Sequence, residues 1–253
     1  MPCEIMFIAE IEFRGRITRQ KAAEYLPALD FVKRSRKATG LILTIDSGGG
    51  DANATEILYN KLTEISETKP VYAYVESMAA SGAYWMACAA GKIYCMRTSL
   101  VGSIGVISMM PNVSGMLRKI GIDVSVMKVG EHKDMLSPFR AMDDEERRRY
   151  QLLLNDIFET FRIEVGKRRK LSSEEMARAA TGEVFTPNDA QQMKLIDGIM
   201  PYDQVVKDMA AVLKMKAKRK KIPPQRTFMQ RLIGTEFIGG AIREAMDSMF
   251  DLQ

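Results

Sequence analysis

Histidine is almost absent from this chain: of 253 residues only His132 carries an imidazole, and cysteine occurs three times, at Cys3, Cys88 and Cys95. Scattered in that way, these residues form no zinc cluster of usual spacing, and no metal or other cofactor is expected. A Ser-His-Asp triad is open only through His132, so nucleophilic chemistry here calls for a base other than histidine. An odd number of thiols, two of them in apolar runs, reads as buried free cysteine in a reducing compartment. No run of 18 apolar residues is present, which excludes a transmembrane helix. The N-terminus, MPCEIMFIAEIEFRGR, lacks a basic region ahead of an apolar core and so does not read as a secretion signal. The expected location is cytoplasmic.

What is present is an ordinary globular composition, 46% hydrophobic and 27% charged, with length for one large domain or two small ones. The net charge is +5, and the excess is local. Lys214, Lys216, Lys218, Arg219, Lys220, Lys221 and Arg226 put seven positives and no acid into residues 214–226; taking those seven from +5 leaves −2 for the rest. Pro223-Pro224 follows, and then Phe228, Leu232, Phe237, Ile238, Ala241, Ile242, Ala245, Met246, Met249 and Phe250 recur at roughly helical spacing. The expected organisation is a main domain over 1–213, a basic linker over 214–226 and an amphipathic helix over 227–253.

Short apolar strands alternate with helical patterns through the main domain. Strands are predicted at Glu4–Phe13, Gly40–Asp46, Val71–Glu76, Lys92–Cys95, Ser103–Ile107 and Asp123–Val129. Helices are predicted at Thr18–Arg36, Asp51–Ser66 (buried face Ile57, Leu58, Leu62, Ile65), Ala79–Ala90, Asn112–Ile120, Asp143–Lys170, 173–180, Pro187–Lys194 and Tyr202–Met215. The Asp143 helix shows a stripe of Tyr150, Leu153, Leu154, Ile157, Phe158 and Phe161. Ser172 with Glu175 makes a capping box. This alternation is that of an α/β fold with a largely parallel sheet.

Two segments are poor choices for plain packing. Asp46-Ser47-Gly48-Gly49-Gly50-Asp51 joins a strand to a helix, where glycines let backbone N–H groups approach a phosphate or an oxyanion. The lysine of a phosphate loop is missing, and a tight turn is the competing reading. Glu76-Ser77-Met78-Ala79-Ala80-Ser81-Gly82-Ala83-Tyr84-Trp85 puts Ser81 among small residues near the start of a buried helix. Ser77 is also placed to cap that helix, which leaves Ser81 either as a cap or packing residue or as a nucleophile beside the Gly82 N–H.

Taken in order, Asp46-Ser47-Gly-Gly-Gly, Ser77–Tyr84, Thr98–Ile107 and Gly130-Glu131-His132-Lys133-Asp134 resemble the motifs of the signal peptide peptidase A family, serine peptidases of the ClpP/crotonase superfamily. The likeness covers about residues 40–210. It implies a single-domain spiral of repeated β-β-α units with a C-terminal helical tail. It implies Ser81 as nucleophile, Lys133 as general base, Ser103 as the residue orienting that lysine, and the N–H groups of Gly49 and Gly82 as oxyanion hole. Gly48 and Gly50 would line the substrate strand. The residues alone do not choose Lys133 over Lys128 or Lys92; that assignment comes from the motif. Gly48 stands where the family usually has proline, which leaves open which glycine of 48–50 donates.

The chemistry implied is a Ser-Lys dyad. A free lysine titrates near 10.4, so as a base it must be desolvated to about 7–8, at a cost of about 4 kcal/mol. Lys133 is therefore expected to be buried in the assembled site, with Glu131 and Asp134 turned away from it and His132 in a loop without a catalytic part. The resemblance implies an endopeptidase cleaving apolar peptides, such as residual signal peptides or membrane-derived fragments, through an acyl-enzyme, in a ring- or dome-shaped homo-oligomer. Residues 214–253 offer peripheral contact with the inner face of a membrane, against an oligomerisation helix or an unordered tail. No aromatic interleaving supports nucleic-acid binding. The competing functional classes are a catalytically silent peptidase-like scaffold and an acyl-CoA enzyme of the crotonase superfamily. The scaffold would be expected to have lost Ser81 or Lys133, and the acyl-CoA enzyme has no use for the pair.

Overall fold

The computed structural model describes residues 5–225. Three crossovers build its centre. Strand β1 (Phe7–Arg14) leads into helix α1 (Arg19–Arg34), β2 (Ala38–Ser47) into α2 (Ala52–Ser66), and β3 (Val71–Ala80) into the short α3 (Gly82–Ala87). The helices start where side chains replace missing backbone partners: Thr18 accepts from the Lys21 N–H and Asp51 from the Ala54 N–H. Next come β4 (Lys92–Cys95), β5 (Leu100–Gly102), α4 (Ser114–Lys119) and the 26-residue α5 (Asp144–Arg169), the last with a capping box between Asp143 and Glu146. Helix α6 (Ser173–Ala179) has the predicted Ser172–Glu175 box. Strand β6 (Val184–Phe185), α7 (Pro187–Gln192), β7 (Gly198–Ile199), α8 (Tyr202–Val212) and β8 (Arg219–Lys221) complete the described chain.

Among the described residues the sheet has eight strands in the order β6-β5-β3-β2-β1-β8, with β4 pairing β3 and β7 pairing β4. Every pairing is parallel except β5 with β6. A parallel sheet is covered on both faces, and alternate residues divide accordingly. Ala9, Ile11, Phe13, Leu41, Leu43, Ile45, Ala73 and Val75 join the core under α1, α2 and α3. Ile8, Ile42, Tyr72 and Tyr74 face the other way, onto Val205, Val206, Met209 and Ala210 of α8.

The α/β domain was legible, but four local readings are corrected. Strand β3 runs on to Ala80, because Met78–Ala80 keep strand pairing with β5, so the helix begins only at Gly82. The expected strands at 103–107 and 123–129 are absent: β5 ends at Gly102, and 123–129 lie exposed with no partner strand among the described residues. Ile57 is exposed, because the buried face of α2 is Leu58, Leu62 and Ile65. Of the expected stripe on α5 only Phe161 is buried; Leu153 and Ile157 stay exposed, and Tyr150 meets Ser108 through its hydroxyl at 2.8 Å.

The described part of the basic stretch, 214–225, returns to the sheet. Its residues 219–221 form β8, parallel to the edge of β1. Arg219 pairs with the buried Glu10 at 3.4 Å, Lys221 with Glu12 at 2.7 Å, and Lys220 lies over the rings of Phe7 and Phe31. Like-charged residues gather there because the sheet edge offers acids and aromatic faces. The amphipathic segment expected at 227–253 and Cys3 lie outside the described residues. Among those described, no helix is long and apolar enough to cross a membrane.

Candidate active site

The site forms where β2 and β3 run out. Ser81 joins β3 to α3 with φ 54° and ψ −127°, a conformation that side chains other than glycine rarely adopt. It occupies the cap position of α3 yet makes no capping bond, and its hydroxyl has no hydrogen-bond partner among the described residues. The backbone is held from both sides. The Ser81 N–H donates to the Gly102 carbonyl at 2.9 Å, and the Ser81 carbonyl accepts from Tyr84 and Trp85 N–H groups at 3.0 and 3.1 Å. A residue in such a region costs about 1–3 kcal/mol and persists only where its surroundings over-determine it. A serine on a strained strand-to-helix corner presents its Oγ at the sheet's end, the geometry of an exposed nucleophile.

Three contacts over-determine α3. The Tyr84 hydroxyl donates to the Leu195 carbonyl at 2.7 Å, fully buried. Trp85 stacks on Phe161 of α5 with centroids 5.2 Å apart and meets Tyr59 of α2 at 5.8 Å. Gly82 packs on α2, where a Cβ would stand 2.4 Å from Thr55 Oγ1. Only glycine lets the two helices approach so closely.

The glycine loop touches this corner. A Cβ on Gly49 would lie 2.8 Å from the Ala80 carbonyl oxygen and 2.9 Å from both Gly82 N and Ser81 Cβ, and Gly49 has φ +96°. The loop is pinned by Ile17, whose N–H donates to Gly49 O at 2.8 Å and whose carbonyl accepts from the Asp51 N–H at 3.0 Å. Gly49 is buried; Gly48 and Gly50 are exposed. The Gly49 N–H donates to Ser47 Oγ at 3.1 Å, whereas the N–H groups of Gly50 and Gly82 meet no acceptor among the described residues. Ser103 stands beside Ser81: Ala80 and Gly102 are ladder partners, and Ser103 is the next residue on β5's side, with φ 48° and its own N–H on the Glu183 carbonyl.

The fold thus gathers Gly48, Gly49, Gly50, Ser81, Gly82 and Ser103. It does not tie Lys133 to them through any hydrogen bond among the described residues. Lys133 lies in the turn 131–136 between α4 and α5 and is exposed in the single chain, so the expected burial is not supplied by one chain alone. The turn does separate the three lysines that sequence left equal. Lys128 is committed to Asp134 at 2.5 Å and to the Glu131 carbonyl at 2.7 Å. Lys92 is held by Asp208 and the Tyr72 and Tyr94 rings, and its hydrogen bond with Tyr94 raises its pKa. The Lys133 amine has neither ion pair nor hydrogen bond among the described residues. Asp134 makes no ion pair with Lys133 among the described residues: Arg140 and then Lys128 hold its carboxylate, which keeps it far below the usual carboxylate range. His132 lies half-buried, 3.9 Å from Glu131. The two described cysteines offer no rival nucleophile: burial pushes the Cys88 thiol up to about 12 and that of Cys95 up to about 11.

Sequence reasoning missed Arg140, Tyr84 and Thr55 as supports of the site. The signals were an acid beside the lysine, which needed a partner elsewhere, and the crowding of small residues at 79–83.

The comparisons bear on the family and the fold. The model for peptidase family S49 matches residues 63–218. The chain is 34% identical over 191 residues to a protein of Methanocaldococcus jannaschii named "Putative protease", covering 76% of this chain and 61% of that one. It is 30% identical over 222 residues to the chloroplastic serine protease SPPA of Arabidopsis thaliana, covering 83% of this chain and 32% of that one. The chain therefore spans less than two thirds of the length of either relative. Among solved structures, a membrane-bound stomatin-specific protease, a lysine-to-alanine mutant in complex with a substrate peptide, superimposes with a TM-score of 0.57 at 14% identity, covering 90% of this chain and 96% of that one. ClpP1 of Listeria monocytogenes superimposes with a TM-score of 0.53 at 13% identity over 77% of this chain and 92% of that one. At such identities the likeness is one of fold. With its ordered motifs, its ClpP-like α/β domain and the family match, this chain belongs to peptidase family S49.

Proposed function

We propose that the protein is a serine endopeptidase working through a Ser-Lys dyad. The observation that carries this is Ser81 itself: a hydroxyl free of internal partners among the described residues, on a strained corner, beside the free N–H of Gly82. Ser81 Oγ attacks the scissile carbonyl and passes its proton to Lys133 Nζ, with Ser103 orienting the amine. The oxyanion is met by the Gly82 N–H and one from the glycine loop, each donor worth about 3 kcal/mol at the transition state. Gly49 serves if its N–H leaves Ser47 Oγ; Gly50 needs no such exchange. Lys133 then protonates the leaving amine, and water takes the acyl group off Ser81. Repeated β-β-α units are part of the same reading, supported by β3, which pairs β4 through Tyr72–Val75 and β5 through Met78–Ala80.

The substrates proposed are extended apolar peptides, including residual signal peptides, laid as a strand beside Gly48 and Gly50. Assembly into a homo-oligomer would supply the desolvation Lys133 needs. In its support, residues 105–142 and the start of α5 expose Ile107, Met127, Val129 and Leu152 at 80%, 100%, 98% and 63%, far more apolar surface than a monomer normally leaves open. Cytoplasmic residence, with residues 214–253 touching the inner face of a membrane, completes the proposal. Because three of the seven basic residues already serve β8, the attraction left for lipid is smaller than the sequence count suggests.

The test is cleavage of fluorogenic peptides together with labelling by a fluorophosphonate probe. Wild type and His132→Ala are expected to cleave and be labelled, with Ser81→Ala and Lys133→Ala inactive but folded. Turnover that survives Ser81→Ala would overturn the assignment.

A further inference from the structure

Arg140 uses all five of its N–H donors within one turn of chain. Its Nε and Nη2 donate to the two Asp134 oxygens at 2.8 and 3.0 Å, and its Nη1 and Nη2 donate to the two Glu146 oxygens at 2.7 and 2.5 Å. The fifth bond, from Nη1, goes to the Ala141 carbonyl at 3.1 Å. Two bidentate carboxylates on one guanidinium is a rigid arrangement that lysine cannot copy. Glu146 is 3% exposed and also closes the capping box of α5 through the Asp143 N–H, so the clamp is anchored to a helix end. The other partner, Asp134, is the residue directly after Lys133.

We propose that Arg140 is a positioning residue for Lys133: by clamping Asp134 to Glu146 it fixes the turn that carries Lys133 on the start of α5 and keeps the adjacent carboxylate off the Lys133 amine. The proposal rests on Lys133 being the general base. The charged groups around this turn are Lys128, Glu131 and His132 from the turn itself, Arg140 from the following loop, and Asp143 and Glu146 from α5. Of the acids, Asp134 is sequence-adjacent to the base and is held by two cations, Arg140 and Lys128. Without the guanidinium, Asp134 keeps a single partner and is free to swing to the neighbouring amine. A carboxylate within about 4–6 Å raises an amine's pKa by about 1–3 units, which leaves less free base at neutral pH.

The test measures kcat/KM on a fluorogenic peptide from about pH 6 to 10 for wild type, Arg140→Gln, Arg140→Lys, Arg140→Gln/Asp134→Asn and Lys133→Ala. The expected result is an acidic limb moved up by about one unit in Arg140→Gln, with about tenfold lower kcat/KM at about pH 7.5. The double variant returns the limb to its wild-type position. A turn that was merely loosened would lose activity evenly at every pH, with no return on removing Asp134, and that result overturns the proposal. So does an unmoved limb. If Arg140→Gln does not fold, Arg140→Lys decides: one ammonium cannot hold both carboxylates, so its limb must also rise. An inactive Lys133→Ala with unmoved limbs refutes the role of Arg140 alone; a Lys133→Ala that cleaves normally refutes the base assignment and this proposal with it.

Discussion

The strain at Ser81 gives a prediction that separates function from folding. With φ 54° and ψ −127°, any residue with a Cβ at this corner carries about 1–3 kcal/mol of backbone strain. Glycine removes that strain but gains about 0.5–1 kcal/mol of extra entropy in the unfolded chain. Ser81→Gly is therefore expected to be about 1 kcal/mol more stable than wild type, and inactive. Ser81→Ala keeps the Cβ and loses a hydroxyl with no internal partner among the described residues, so its stability should stay within about 0.5 kcal/mol of wild type. For a domain of this size 1 kcal/mol corresponds to about 2–4 °C in Tm. Urea or thermal unfolding of the three proteins, followed by circular dichroism, reads the difference. A Ser81→Gly protein less stable than Ser81→Ala would refute the claim that packing of α3 and β5 holds this corner against its own preference.

Further outcomes follow from the supports of the corner. Tyr84→Phe strands the Leu195 carbonyl in a dry core and should cost about 1–3 kcal/mol in denaturant unfolding. Gly82→Ala drives a methyl onto Thr55 Oγ1 and should abolish probe labelling; pairing it with Thr55→Ala should recover part of the labelling, since the closest atom is then gone. Gly49→Ala, with a Cβ against backbone and φ +96°, should have no such rescue and should lose both labelling and stability. The buried Cys88 thiol, pushed up to about 12 by burial, stays protonated in the folded chain while it ionises in the unfolded one from about pH 9. The unfolded state then holds fewer protons, so stability falls as pH rises from about 9 toward 12, by up to about 1.4 kcal/mol per unit for this group. Cys88→Ala should flatten that decline in unfolding free energies measured across the range.

Much of the scaffold was legible because it is local. Thr18, Asp51, Asp143 and Ser172 announce helix starts through side chains that reach only three residues, and Lys92–Cys95 is a short apolar run of strand length that forms a strand. The misreadings share one cause. Met78-Ala79-Ala80 has no period of its own; it became strand because β5 lay beside it. The apolar alternation at 123–129 found no neighbour among the described residues and stayed open. Arg219 and Lys221 looked like solvated linker until Glu10 and Glu12 supplied their partners.

Chain order alone determined which residues are eligible for chemistry: one imidazole, a glycine loop after a strand, a serine among small residues, and a lysine in a motif. It could not say that Ser81 stands at a forbidden-looking corner, because that conformation is imposed by Gly102 and by α3, which Leu195 and Phe161 anchor from across the fold. Nor could it say which acid or lysine is spoken for. Those pairings join residues brought together by tertiary packing, as Arg140 joins Asp134 to Glu146, and charge finds its partner in space rather than in sequence.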